Sequence, residues 1–192
     1  LVHNLSADVD LFSRIDIGCR KKDYPKRLLY VGRFSPEKGL RYLLRAWNAI
    51  SDRKGWRLTL VGNGSEKERL SGYPDVEILD FMEQKDLQKV MENSGAFILP
   101  SIFEQWALVL HEAACAGLPI LASNRCGAIV SFVEEGKNGY LFIPASIRSI
   151  RHSIEKFIAC TESDWLLMGK NSRQLSLQIT PERVAETLLT VL

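Results

Sequence analysis

The sequence has no unbroken apolar stretch as long as a membrane-spanning helix, and no signal peptide can be recognised in it. It also has no CxxC pair, and its four cysteines, Cys19, Cys115, Cys126 and Cys160, do not combine with histidines at the spacing of a zinc site. We therefore expect free thiols in a reducing compartment, no metal site of this kind, and a cytoplasmic protein.

A strong excess of charge of one sign is also missing. Lys and Arg number 25 against 23 Asp and Glu, so the formal net charge is +2. The run Arg20-Lys21-Lys22 precedes Pro25 and is too short to mark a nucleic-acid tail, so we interpret it as part of a solvated linker. We expect no nucleic-acid partner.

The length and composition are those of an ordinary globular protein. The 192 residues, of which 46% are hydrophobic and 25% charged, can form one good-sized α/β domain or two very small ones. Residues 1–26 show no clear periodicity, and we expect an interdomain linker or the tail of a preceding domain. The absence of an initiator Met at Leu1 suggests a piece of a longer polypeptide, although processing would also explain it.

A regular rhythm of apolar segments begins at residue 27. Short apolar runs predict strands at 27–32, 57–62, 76–79, 96–100, 119–123 and 139–144. Helical spacing and turn residues predict helices at 35–50, 65–70, 85–95, 107–117, 129–136, 146–160, 162–174 and 181–192. Ser35 is the expected N-cap of the first of these, while Gly95 and Gly117 are expected C-caps.

Alternating strands and helices, with strands that are mostly apolar, favour a parallel sheet covered by helices on both faces. The predicted fold class is therefore α/β and Rossmann-like, with a domain over residues 27–192. In such sheets ligands bind beyond the carboxyl ends of the strands, so we expect the chemistry in the loops that enter the helices.

Two cations lie in the first of these loops. Arg33 follows the first strand, and Lys38 falls in the predicted first turn of the next helix. A helix N-terminus already carries partial positive charge, so a lysine there is favourable when an anion binds beside it. The alternative is that both are solvated surface residues.

Three other patterns are weaker. Gly62-x-Gly64 with Asp80 resembles part of a dinucleotide fingerprint, but Lys67 occupies its third glycine position, and a plain tight turn is the preferred interpretation. Asp8-Val9-Asp10 resembles the metal-binding DxD of some sugar transferases. The histidines, His3, His111 and His152, are isolated in the sequence, and His111 is expected to be a surface or packing residue rather than a base.

The segment EQWALVLHEAACAGLP carries Glu104 and Glu112, eight positions apart. In a continuous helix they would be ~12 Å apart along the axis, whereas a glycosidase carboxyl pair needs ~5 to 9.5 Å. This spacing fits two contacts with one elongated ligand better. Each glutamate would bind a polyhydroxyl group at one end of the ligand, and the N–H groups near Ala107 and Leu108 would face its anionic middle. A nucleoside diphosphate sugar has this form.

Four segments in this order and spacing, VGRFSPEKG, VGNGSEKERL, EQWALVLHEAACAGLPI and EEGKNGYLF, resemble the group 1 family of retaining glycosyltransferases of GT-B fold. The resemblance covers roughly residues 1–192 and corresponds to the carboxyl-terminal, donor-binding half of that fold. ADVDLF, at residues 7–12, is similar to the family's interdomain linker and speaks against a metal site there.

The resemblance implies a role for each matching residue. Arg33 and Lys38 would contact the donor diphosphate, Glu104 the transferred sugar, Glu112 the ribose, and the backbone around Met82 the base. Arg33, Lys38 and Glu104 are thus the implied catalytic residues, and the remaining implied donor contacts are Gln105, Trp106, Ala107 and Leu108. Gln105-Trp106-Ala107 replaces the family's common Gly-Phe-Gly, so Ala107 adds a methyl group beside the phosphates.

The resemblance also implies an activity, which is transfer of a hexosyl group from a nucleoside diphosphate sugar to an acceptor hydroxyl, with retention and without a metal or other cofactor. A glycan or lipid-linked acceptor would bind a missing amino-terminal domain, so this domain alone should be inactive, and the full-length enzyme could associate with the inner face of a membrane. A nicotinamide-dependent oxidoreductase, a non-enzymatic interaction module and a GT-B epimerase remain alternatives.

Overall fold

A single parallel sheet of six strands forms the centre of the computed structural model, which describes residues 7–180. The strands are β1 (Arg27–Val31), β2 (Arg57–Val61), β3 (Val76–Leu79), β4 (Ala96–Leu99), β5 (Ile120–Ser123) and β6 (Gly139–Phe142). Their order across the sheet is β3-β2-β1-β4-β5-β6, and every neighbouring pair is parallel. The predicted α/β fold and its strand positions are confirmed.

The strand order places a crevice at the middle of the sheet. All four residues of β4 and all four of β5 are buried, as expected for strands covered on both faces. The chain runs outward from β1 through β2 to β3, then crosses back to β4 on the other side of β1. The loops after β1 and β4 therefore diverge at a switch point, where open parallel sheets bind ligands.

Seven α-helices cover the sheet within the described residues. They are α1 (Val9–Ser13), α2 (Leu40–Asn48), α3 (Gln84–Glu92), α4 (Leu108–Cys115), α5 (Ile129–Phe132), α6 (Ile147–Ile158) and α7 (Glu162–Ser176), with 3-10 turns at Ile17–Lys21, Pro36–Lys38 and Lys67–Leu70. The predicted helix at 181–192 lies outside the described residues. Between residues 7 and 180, no helix combines the length and apolarity needed to cross a bilayer.

The helix predicted over 35–50 is interrupted at Gly39. Residues Pro36–Lys38 form a 3-10 turn, Gly39 adopts a left-handed conformation (φ 70°), and α2 begins only at Leu40. A Cβ at Gly39 would lie 2.3 Å from the carbonyl oxygen of Pro100, so only glycine allows this approach to the loop after β4. Lys38 thus belongs to a separate turn, and Ser35 does not cap α2 with its side chain.

Two predicted helix ends are also wrong. Asn93, not Gly95, is the C-cap of α3, and the N–H of Gly95 instead donates to the carbonyl of Arg27 at the start of β1. A side chain at Gly95 would collide with the carbonyl oxygen of Pro25, so this glycine is needed for space. The helix predicted to reach residue 136 ends at Phe132, since Val133 is already extended. Gly117 does follow the end of α4, with φ 66°.

Residues 7–26 pack into the domain. Val9, Phe12, Ile15 and Tyr24 are all buried and belong to the same hydrophobic core as the sheet. The Tyr24 hydroxyl donates to the carbonyl of Gly95 at 2.6 Å. The interpretation of this segment as a linker from a preceding domain stays a prediction, but its described part is folded against the sheet's helices.

Arg20 corrects the interpretation of Arg20-Lys21-Lys22 as a solvated run. Its side chain is 4% exposed, while both lysines are exposed. Nη1 donates to the carbonyl oxygens of Ala116 (3.2 Å) and Gly117 (2.8 Å), and Nη2 donates to that of Met91 (3.0 Å). The guanidinium therefore joins the carboxyl ends of α3 and α4, where helix carbonyls have no intrahelical donors.

Replacing Arg20 with methionine should lower the free energy of unfolding by about 2–4 kcal/mol, because three buried carbonyls would lose a charged donor. Urea denaturation monitored by tryptophan fluorescence measures this change. Lys21→Met removes the same charge from an exposed neighbour and should stay within about 0.5 kcal/mol of the native chain. Equal effects of the two substitutions would show that the Arg20 contacts do not stabilise the fold.

Candidate functional site

The loops at the carboxyl edge of the sheet are tied to one another by backbone hydrogen bonds. In the loop after β1, the N–H of Phe34 donates to the carbonyl of Asn63 at 2.8 Å, and the carbonyl of Phe34 accepts from the N–H of Glu66 at 3.0 Å. This fixes the position of Arg33, whose own carbonyl accepts from the Tyr30 hydroxyl at 2.9 Å.

The same loop is tied to the opposite half of the sheet. The N–H of Ile102, after β4, donates to the carbonyl of Glu37 at 2.8 Å. Glu104, two residues later, donates its N–H to the carbonyl of Arg125 and accepts from the N–H of Gly127. The loops after β1, β4 and β5 thus form one connected layer, and the side chains that they carry are held at fixed positions.

A cleft of about 620 Å³ opens at this edge, and α4 forms one side of it. It brings together three residues that the sequence placed in one site, namely Arg33, Met82 and Glu112. The other lining residues are Val31, Gly32, Val61, Gly62, Asn63, Phe81, Glu83, Gln84, Leu87 and Val109. Apolar walls with a few polar groups are typical of a small-molecule site.

Lys38 and Glu104 form an ion pair at the same edge of the sheet, although neither residue lines the cleft. Their side chains come from the 3-10 turn after β1 and the loop after β4, and Lys38 Nζ bonds directly to Glu104 Oε2. They are only 22% and 17% exposed, so the pair is partly shielded from water. The sequence assigned these two residues to one site but did not indicate that they bind each other.

The start of α4 lies between Glu104 and Glu112 in the chain. Its N-cap, Ala107, provides no side-chain hydrogen bond, and Leu108, the first helical residue, is 38% exposed. Burial raises the pKa of the Cys126 thiol, although backbone N–H groups, including that of Ala107, donate to the sulfur and lower it. Donation from the N–H groups near Ala107 and Leu108 to a ligand stays a prediction.

The remaining predicted residues of this segment lie around the helix start. Gln105 is exposed, and Trp106 is half-buried with its ring edge-on to Phe132 at 5.8 Å between centroids. Ala107 is 5% exposed, so its methyl group lies within the core and does not project into solvent.

Glu112 is a half-buried carboxyl group on the cleft side of α4. Burial, with a smaller contribution from the negative charge of Asp8, raises its pKa to about 7. Asp8 is the N-cap of α1, where its carboxylate accepts the N–H of Leu11 at 2.9 Å. Glu112 therefore changes its charge near neutral pH, because burial disfavours the ionised form.

Packing accounts for the glycines of the dinucleotide-like pattern. A Cβ at Gly62 would lie 2.0 Å from the carbonyl oxygen of Gly32, and one at Gly64 would lie 2.3 Å from that of Phe34. Asp80 is engaged in an ion pair with Lys67. The tight-turn interpretation is thus the one that fits the structure, and these residues show no arrangement specific to NAD.

The histidines do not form a catalytic group. His111 is fully buried and stacks on Phe132; its Nδ1 accepts the N–H of Ala7 and its Nε2 lies 3.1 Å from the carbonyl of Ser176. It is a packing residue, and burial lowers its pKa. His152 is exposed on α6, and His3 lies outside the described residues. Within residues 7–180, no three His, Cys, Asp or Glu side chains gather as metal ligands would.

Asn63 and Phe81 are among the lining residues that the sequence analysis did not assign to the site. Each lies two positions after the last residue of a strand, β2 or β3, so its place at the carboxyl edge was foreseeable from the strand ends. Phe81 is 74% exposed at the cleft, so its ring is accessible to a ligand.

Replacing Glu112 with glutamine should change how stability depends on pH. A carboxyl group whose folded pKa is raised from 4.5 to about 7 stabilises the fold fully below pH 4.5, and this contribution is lost as the pH rises through 7. Glutamine stays neutral, so the variant should gain about 1–3 kcal/mol over the native chain between pH 5 and pH 8.

Urea denaturation at both pH values measures this gain, with the exposed Glu68→Gln as the matched control. A difference between native and Glu112→Gln protein that does not vary with pH would contradict the buried, proton-binding carboxyl group.

Comparison with known proteins agrees with this geometry. A glycosyltransferase from Haemophilus influenzae, itself of uncharacterised specificity, is 32% identical over 167 residues, which is 84% of this chain and 47% of that protein. The chain spans about half the length of the curated relatives it matches.

Solved structures show the same fold. Sucrose-phosphate synthase from Thermosynechococcus elongatus superimposes with a TM-score of 0.80 at 22% identity, over 97% of this chain and 50% of that one. HepE of Anabaena, in complex with UDP and glucose, gives 0.76 at 23% identity, over 96% and 55%. Residues 18–174 match the model of the family described as glycosyl transferases group 1, and the chain belongs to that family.

Proposed function

We propose that this chain is the donor-binding domain of a retaining hexosyltransferase that uses a nucleoside diphosphate sugar. The observation that supports the proposal is that Arg33, Met82 and Glu112 line one cleft, while the loops after β1 and β4 carry the Lys38–Glu104 pair at the same edge of the sheet. Cations, apolar walls and carboxylates would thus follow one another along a single path.

The donor would lie along that path with its base at the apolar end. Met82 and the exposed ring of Phe81 offer a surface on which a base can stack. The ribose hydroxyls would donate to Glu112, the diphosphate would lie between Arg33 and the start of α4, and the sugar would reach Glu104. Carboxyl oxygens accept hydrogen bonds from hydroxyls, which suits them to both sugar rings.

Transfer would depend on stabilising the leaving diphosphate. When the bond between the sugar and the phosphate breaks, negative charge grows on the diphosphate, and Arg33, Lys38 and the N–H groups at the start of α4 can stabilise it electrostatically. We therefore propose a reaction that needs no metal. Glu104 would stabilise the positive charge that develops on the sugar ring.

We propose that donor binding begins with the opening of the Lys38–Glu104 ion pair. The ammonium group of Lys38 has three N–H donors, of which the contact with Glu104 Oε2 uses one. We propose that the diphosphate draws the ammonium group toward itself and releases the carboxylate toward the sugar. The exchange replaces one charged hydrogen bond by another, which keeps the energetic cost of opening the pair low.

The acceptor side remains a proposal about the longer protein. We propose that residues 1–26 lead from a preceding domain that binds a glycan or lipid-linked acceptor. The 192-residue chain alone would then transfer little or no sugar.

The HepE complex with UDP and glucose supports a nucleotide-sugar donor for a domain of this fold.

Replacing Lys38 with methionine should weaken binding of a nucleoside diphosphate by about 10- to 100-fold, because a charged hydrogen bond to phosphate is lost. The affinity for the nucleoside should change little. Calorimetry with UDP, GDP and ADP, and with the matching nucleosides, measures both.

Lys67→Met is the matched control, since it removes the same charge from another ion pair, with Asp80, and neither residue is assigned a contact with the diphosphate. Equal losses for diphosphate and nucleoside would refute the phosphate role of Lys38. No binding of any of the three diphosphates by the native chain at millimolar concentration would refute the proposed function itself.

Replacing Glu104 with glutamine should strengthen diphosphate binding, whereas Lys38→Met should weaken it. Without the carboxylate, Lys38 is freed and like-charge repulsion is removed, so UDP, GDP or ADP should bind several-fold more tightly. Sugar transfer by the full-length enzyme should fall sharply, because glutamine cannot stabilise a cationic ring. Weaker diphosphate binding would show that the ion pair positions Lys38 for phosphate and does not compete with it.

A further inference from the structure

We propose that the outer surface formed by α2 and α6 binds a membrane that contains anionic lipids. This surface, called here the α2–α6 face, consists of Arg41 and Arg45 on α2, Arg148, Arg151 and Lys156 on α6, and Ile143, which precedes α6. The five cationic side chains and Ile143 are all exposed.

The net positive charge of α2 and α6 together is larger than the net charge of the whole chain. α2 and α6 together carry these five cations and a single carboxylate, Glu155, which leaves an excess of four positive charges. The entire chain has a net charge of only +2, so everything outside these two helices is net negative. Such asymmetry creates a local field that attracts an extended anionic surface.

Neighbouring carboxylates do not neutralise this charge. Across residues 7–180, Arg41, Arg45 and Arg148 take part in no ion pair, Arg151 contacts Glu155 on the same helix at 3.5 Å, and Lys156 reaches Glu135 only at 3.9 Å. Ion pairs this exposed are weak, so the cations remain available to an external anion.

Arg148 occupies a position that the helix itself disfavours. It lies in the first turn of α6, which contains no acidic residue, although the dipole makes a cation unfavourable there and a carboxylate favourable. The side chain therefore does not serve helix stability. An anion beside this turn would reverse the unfavourable interaction.

An apolar side chain among the cations favours a lipid surface over a soluble polyanion. Ile143 is 59% exposed and, with Arg148, Arg151 and His152, lines a shallow depression of about 480 Å³. A membrane interface accommodates both kinds of group, because headgroups bind the cations while the acyl boundary receives the apolar side chain. Ile143 directly follows β6, so docking here would bring the carboxyl edge of the sheet close to the membrane.

Vesicle co-sedimentation of the 192-residue chain tests the proposal without any nucleotide, so its outcome is independent of the donor site. The chain should bind vesicles of phosphatidylcholine with phosphatidylglycerol and not vesicles of phosphatidylcholine alone, and 0.5 M salt should release it. The double variant Arg148→Glu/Arg151→Glu should bind roughly 30-fold more weakly or worse, since each cation near an anionic surface contributes about fivefold.

The matched control is Lys85→Glu/Lys170→Glu, which changes the net charge equally at exposed positions on α3 and α7. It should keep nearly native binding. Ile143→Ser leaves every charge in place and should weaken binding about fivefold if the side chain enters the interface. All four substituted charges are exposed, and thermal unfolding followed by circular dichroism verifies that each variant is folded.

Three results would overturn the proposal. One is equal binding to neutral and anionic vesicles. Another is an equal loss in the control variant, which would reduce the effect to net charge. The third is binding to soluble polyphosphate without binding to anionic vesicles, which would identify a soluble polyanion as the occupant.

Discussion

The site depends on the backbone hydrogen bonds that hold the loop after β1 between its neighbours. One bond joins Phe34 to the loop after β2, and another joins Glu37 to the loop after β4. Because these bonds are made by the main chain, the position of the loop does not depend on the side chains that contact a ligand. Arg33 and Lys38 are thereby presented by a single segment whose backbone is bonded to the loops after β2 and β4.

A ligand could change the ion pairing of Lys38 with Glu104 and the protonation of Glu112. Lys38 and Glu104 neutralise each other, and Glu112 binds a proton near neutral pH because it is partly buried. Both arrangements lower the free-energy cost of keeping these ionisable groups partly shielded from water. In the proposed complex they would also reduce the repulsion between these carboxylates and the diphosphate.

The arrangement of strands could be predicted from the sequence because buried parallel strands are short apolar runs, a local signal. Arg33 could be placed from its position after the first strand, whereas Glu112 was singled out by its spacing from Glu104 and Met82 by the family resemblance. Features that depend on distant contacts could not be foreseen. Gly39 interrupts a helix because of a carbonyl in another loop, and Arg20 is buried because three carbonyls from α3 and α4 surround it.

The central claim is that one donor spans from the apolar cleft to Glu104 and displaces Lys38 on the way. A crystal structure of this chain with UDP, GDP or ADP, whichever binds most tightly, tests it most directly. The account predicts the ribose at Glu112, the phosphates between Arg33 and the start of α4, and Lys38 moved from Glu104 to a phosphate oxygen. A nucleotide bound with its phosphates away from Arg33, or with the Lys38–Glu104 pair intact, would contradict it.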